Sequence, residues 1–230
     1  MKRHALSTRL WHWINAAALA VLFMSGLGIS NAHRHLYWGN FGYDPADAWL
    51  HVVRFPGWIT LPSTYNLAAS RDWHNIGAWV FGIALLFMWI AMLVNRHYVR
   101  DIVTCTHDWS PRHWWHILRS NPREHETLDG AKYNSLQKIA YGVVLGVLLP
   151  IMIFTGLAIS PGFEPAAPWL IEILGGRQSA RSIHFIAAWA IAAFFVAHIV
   201  MVFAGGAWKL VRDMITGGRV ETKKKGYFDA

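Results

Sequence analysis

Cysteine is almost absent from this chain: Cys105 is the only one in 230 residues. That count excludes an intrachain disulfide framework, a Cys-based zinc site, a cysteine-ligated iron–sulfur cluster and a C-x-x-C-H haem attachment. Charge is scarce as well. Asp, Glu, Lys and Arg make up 15% of the residues, against about 25% in an ordinary soluble domain. Low charge combined with 54% hydrophobic residues excludes intrinsic disorder, which needs the opposite balance. Nor does the chain carry a hydride-cofactor fingerprint, a nucleophile triad or a paired acid and base. What is abundant is apolar and aromatic: 14 Trp and a mean hydropathy of +0.26. A membrane protein, or an unusually apolar soluble one, remains.

Four long stretches contain no Asp, Glu, Lys or Arg: Leu10–Ser30, Trp73–Asn95, Ile139–Ser160 and Ile183–Gly206. About 20 residues of helix cross the ~30 Å hydrocarbon core of a bilayer. The expected fold is therefore all-α and integral to the membrane, a four-helix transmembrane bundle over about 10–30, 73–95, 139–160 and 183–206. The first stretch exceeds the ~7–15 apolar residues of a signal-peptide core, so it reads as a retained helix. Residues 1–230 read as one membrane domain, with an outer loop 31–72, a cytoplasmic loop 96–138 and a basic cytoplasmic tail 207–230.

The net charge of +8 and pI near 9.9 would suggest nucleic acid in a soluble protein. Position decides otherwise. With both termini in the cytoplasm, the inner segments hold 16 of the 21 Lys and Arg, while the outer segments balance five Arg against five acids. The positive-inside rule accounts for the whole excess, and no nucleic-acid partner is expected. The aromatic- and proline-rich outer loop is expected to fold back over the outer face. Pro111–Leu118 reads as a short amphipathic surface helix, and Pro150 is expected to kink the third span. No internal repeat is detected.

Ionisable residues inside spans are functional candidates, and the spans hold four histidines: His12, His74, His184 and His198. His184 and His198 are 14 residues apart, nearly four full turns, so they share a face and stand ~21 Å apart along the axis. Following the chain in and out of the membrane puts His12 and His198 at the inner level, and His74 and His184 at the outer one. Two facing imidazoles suit a low-spin haem b, whose porphyrin supplies four nitrogens and whose iron needs one ligand on each side. A structural zinc site wants four ligands at one point. A proton relay could also use membrane histidines, without needing the match in depth. Arg9, one turn before His12, is a candidate partner for a haem propionate. Gly26, Gly28, Gly77, Gly82 and Gly156 would make room for a porphyrin face or for close helix packing.

The Arg9-x-x-His12-Trp13 start, the Trp73-His74 opening of the second span and the His184/His198 pair resemble the di-haem cytochrome b subunits of bacterial respiratory oxidoreductases. That superfamily includes cytochrome b561-like proteins, the cytochrome b of nickel–iron hydrogenases and the gamma subunit of formate dehydrogenase. Residues 26–33 and 175–181 look most like thiosulfate reductase cytochrome b subunits. The resemblance implies two haem b groups, an inner one on His12 and His198 and an outer one on His74 and His184. It also implies the bacterial inner membrane, exchange with a membrane quinone (ubiquinone or menaquinone), and a periplasmic catalytic oxidoreductase partner. That partner would be of the molybdopterin type, reached directly or through an electron-transfer subunit. Tyr133-Asn134-Ser135-Leu136-Gln137-Lys138 is similar to the quinone-side motif of the formate dehydrogenase relatives, which makes Asn134 and Gln137 candidate quinone contacts. Two rivals stay open: a stand-alone b561-type quinol oxidoreductase acting on a small outer acceptor, and a haem-free anchor or channel.

Overall fold

The structure is a computed structural model that describes residues 6–94, 109–110, 112, 115, 119 and 135–218. Four long helices form the bundle: α1 (Leu6–Ala32), α2 (Leu67–Val94), α3 (Ser135–Ile159) and α5 (Arg177–Ala204). Each is long and apolar enough to cross a membrane. Large apolar side chains such as Trp79, Phe87, Val196 and Phe203 point away from the bundle, as a lipid-facing surface requires. The chain is a multi-pass membrane protein.

Every span starts a turn or more before its uncharged window. A helix does not stop where its first charge appears: Arg9, Arg71, Asp72, Lys138 and Arg181 are all helical. These residues carry the backbone ladder out of the hydrocarbon, where their side chains reach polar surroundings.

α1 packs along α2, and α3 along α5, giving two helical hairpins. Gly28 brings the first pair close, because a Cβ there would collide with Ser70. Between the hairpins lies a core of Ala18, Phe81, Leu85, Val144, Leu149 and Ile191. Phe81 follows His74 by two helical turns, and Ile191 lies midway between His184 and His198. This apolar plug therefore sits between the two histidine levels. In α3 a π-helical stretch, Val144–Leu148, stands just ahead of Pro150, where a kink is expected. Proline has no N–H to give the carbonyl four residues back. The ladder shifts register just ahead of it, with the Leu149 N–H on the Val144 carbonyl.

The segment between α1 and α2, which defines the outer end, folds back onto the bundle. It adds a feature absent from the all-helical reading, an antiparallel pair of two-residue strands, β1 (His35–Leu36) and β2 (Leu50–His51). Asn31 bonds both backbone groups of Phe55, at 2.9 and 2.7 Å. Ser182 of α5 donates to the Tyr37 carbonyl (2.6 Å) and accepts from the Trp49 indole (2.9 Å). The Gly39 carbonyl accepts from the backbone of Gln178 and Ser179. It thereby satisfies two of the donors that a helix N-terminus leaves open. A short helix, α4 (Trp169–Ile173), and a Gly175-Gly176 turn lead into α5.

Gly176 has φ +111, and a Cβ on it would fall on the backbone of Gly39. Gly176→Ala is therefore expected to destabilise the outer face by about 1–3 kcal/mol. A lowered unfolding temperature in detergent, with faster proteolysis of the 31–66 segment, is the expected result.

At the inner end α6 (Ala207–Thr216) is an amphipathic helix, where only a basic tail is expected from sequence. Its signal is present: Trp208, Val211 and Ile215 repeat at helical spacing. Most of the 96–138 segment, expected from sequence to be a cytoplasmic loop, lies outside the described residues, including Cys105 and most of Pro111–Leu118, of which Arg112 and Trp115 are helical. The tail beyond residue 218 lies outside them too.

Candidate functional site

The fold brings the four span histidines together as two facing pairs. At the outer level the rings of His74 on α2 and His184 on α5 are 6.2 Å apart, centroid to centroid. At the inner level His12 on α1 and His198 on α5 are 6.5 Å apart. All four are half-buried. Each pair therefore bridges the two hairpins.

The separations discriminate between ligands. A metal held by one nitrogen of each ring, at about 2.0 Å, with each ring centre about 1.1 Å beyond, puts the centroids about 6.2 Å apart. Both centroid separations are close to that span, as a metal shared by the two rings of a pair would require. Among the described residues no group of three or more His, Cys, Asp or Glu side chains could hold a metal. Two protein ligands per level suit a group that brings its own equatorial donors.

The outer pair also has a hydroxyl partner at each Nδ1. Ser25 Oγ is 2.6 Å from the Val21 carbonyl, to which it donates its single hydrogen. It must then accept from His74 Nδ1, 3.0 Å away. Thr155 does the same for His184: its hydroxyl donates to the Ile151 carbonyl (2.6 Å) and accepts from Nδ1 (2.8 Å). With Nδ1 carrying the proton, each Nε2 keeps its lone pair for a metal. The next residue in each case is glycine. A Cβ on Gly26 would sit 3.6 Å from His74 Cε1, and one on Gly156 3.5 Å from His184 Cε1. Neither glycine holds a side chain between its helix and the imidazole.

These two hydroxyls were missed in the sequence, although a repeat announces them. Ser25-Gly26-Leu27-Gly28-Ile29-Ser30 matches Thr155-Gly156-Leu157-Ala158-Ile159-Ser160. The expectation of no internal repeat is corrected here. The match is six residues long and does not extend along the two helices.

The inner pair is built differently. Trp13 meets His12 edge-on at 5.1 Å, and Phe194 stacks on His198 at 6.3 Å. Arg9, suggested by sequence as a propionate partner, donates Nη1 to the Ile215 carbonyl, and the Trp13 indole donates to that of Met214 (3.3 Å). These contacts fix the C-terminus of α6 against the start of α1. Gln137 lies in the first turn of α3 at the inner end. Asn134 lies outside the described residues.

A family model described as prokaryotic cytochrome b561 matches residues 3–217. A Cupriavidus necator protein named as an Ni/Fe-hydrogenase B-type cytochrome subunit is 24% identical over 95% of this chain and 83% of its own length. An Azospira oryzae protein named as a protein-methionine-sulfoxide reductase subunit is 25% identical, over 84% of this chain and 86% of the relative. A second Ni/Fe-hydrogenase B-type cytochrome subunit, from Rhodobacter capsulatus, is 20% identical over 83% of this chain and 69% of its own. No solved structure matches the chain.

Proposed function

The chain belongs to the prokaryotic cytochrome b561 family, and from that premise we propose that it is a di-haem b electron-transfer subunit of the bacterial inner membrane. It exchanges electrons between the quinone pool and a periplasmic catalytic oxidoreductase. The observation that carries this reading is the pair of imidazole separations, 6.2 and 6.5 Å, on one bundle. Family membership implies haem b. The number of haems and their ligands are our assignment: His74 and His184 for the outer one, His12 and His198 for the inner.

Bound haem b supplies reversible one-electron chemistry. The protein's own residues do the rest. The four histidines would hold the two haems, one pair to each, and would leave substrate chemistry elsewhere. Ser25 and Thr155 orient the outer imidazoles and keep Nε2 available. The Phe81–Leu85–Ile191 plug excludes water between the two levels, which lie ~21 Å apart. Any further catalysis then belongs to a partner. The relatives named as subunits of a hydrogenase and of a reductase support an arrangement with a catalytic partner. The molybdopterin type rests on the resemblance alone. Gln137, with Asn134, is the proposed quinone contact at the inner end.

Haem counted against chain in the detergent-purified protein tests the reading. About two b haems per chain, reducible by a quinol, is the expected result. A colourless but folded protein would leave only an anchor or channel, and one haem per chain would remove one of the histidine assignments.

A further inference from the structure

Three of the four paired histidines follow an arginine by three residues: Arg9 before His12, Arg71 before His74 and Arg181 before His184. That spacing puts guanidinium and imidazole on one helix face, a turn apart. At the outer level both facing histidines have such an arginine, and both arginines lie on the side nearer the outer end. His33, just past the end of α1, joins them, with Arg71 Nη2 3.3 Å from His33 Nε2. Burial, then the charges of Arg181 and Arg71, hold the His33 imidazole below its ordinary range. A positive field is concentrated there.

Among the described residues no carboxylate is ion-paired with either arginine. Among the described residues the ion pairs are Arg177 with Glu164 and Arg212 with Asp213. Neither includes Arg71 or Arg181, and Asp72 pairs with neither of them. Arg181 is half-buried, and its Nη1 goes to the neutral Gln178 amide at 3.1 Å. Two like charges held together, one partly out of water, cost free energy unless an anion joins them. The inner level lacks this arrangement. Arg9 is bonded to the Ile215 carbonyl, and the residue three before His198 is Phe195.

We propose that Arg71 and Arg181, with His33 between them and the loop, form a carboxylate-binding rim for the propionates of the outer haem. The inference rests on the haem reading above and adds a second recognition element to the outer site. The two histidines hold the metal, and the two guanidiniums select a porphyrin bearing free carboxylates.

The test uses the full-length His12→Ala chain, which leaves only the outer site, prepared without haem and titrated with iron protoporphyrin IX or its dimethyl ester. The Soret band reads binding. The diacid is expected to bind about 10-fold or more tighter than the ester, the scale of one charge-assisted contact. Adding Arg71→Gln and Arg181→Gln is expected to bring the two affinities within about twofold, by weakening the diacid alone. Arg71→Lys with Arg181→Lys should restore part of the preference, which separates lost charge from a damaged fold. A preference unchanged by the glutamine substitutions overturns the rim. Phosphatidylglycerol bound less well than phosphatidylcholine by that double variant, but not by its parent, would then assign the guanidiniums to a lipid phosphate. Failure of both porphyrins to bind the chain with all four histidines intact would overturn the haem reading itself.

Discussion

His74→Ala and His184→Ala are each expected to remove one haem and leave the other, so that haem per chain falls by about half. His12→Ala and His198→Ala should give the same loss but remove the other haem. The two groups of variants are therefore expected to retain complementary spectra and midpoint potentials. The argument is geometric. Each pair spans the two hairpins, at 6.2 Å outside and 6.5 Å inside, and no third metal-binding side chain joins either pair among the described residues. A lost histidine would therefore have no substitute among the described residues. The apolar core around Phe81, Leu85 and Ile191 separates the levels, so damage to one site should not reach the other. Redox titration of the purified variants, with haem counted against chain, reads the result. Parallel loss of both haems in all four variants would mean that the sites do not form independently. Full haem content in any one would remove that residue from the ligand set.

Much of this was legible in the sequence because membranes simplify the physics. A span must satisfy its backbone internally and stay uncharged for about 20 residues, so four windows without charge suffice to find four helices. Topology then turns sequence position into depth, and the 14-residue spacing of His184 and His198 turns depth into a shared face. What stayed hidden depends on long-range polar contacts. Nothing local to Gly39 reveals that its carbonyl caps α5 some 140 residues later, or that Ser182 joins Tyr37 to Trp49. Helix starts were concealed by their own charges: Arg71 and Asp72 look like the end of a span but lie within α2. Ser25 and Thr155 are an intermediate case. Their six-residue repeat was readable, but its purpose appears only when two hydroxyls are seen facing two imidazoles.

Those hydroxyls lead to the other large effect. Thr155→Val keeps the shape and the β-branched rotamer of a fully buried side chain and removes one oxygen. The Ile151 carbonyl loses an additional donor but retains its place in the helical ladder. The His184 ring loses its hydroxyl partner, at a cost of up to about 1–3 kcal/mol, and keeps the Met152 carbonyl as a backbone acceptor. With that hydroxyl gone the ring is held less firmly, and its basicity falls. Metal affinity at the outer site is then expected to drop by about 10–100-fold, the usual cost of removing a group that orients a histidine ligand. The sign of the redox effect follows. A less basic imidazole stabilises the oxidised metal less, so the outer midpoint potential should rise while the inner one stays fixed. Ser25→Ala should act in the same direction through His74, since Ser25 makes the equivalent pair of bonds. Thr155→Ser, which restores the oxygen but not the methyl group, should recover both potential and haem retention. An outer potential unmoved by Thr155→Val, with haem content unchanged, would mean that the hydroxyl merely fills space and that the orientation of His184 is set by Gly156 and the surrounding packing.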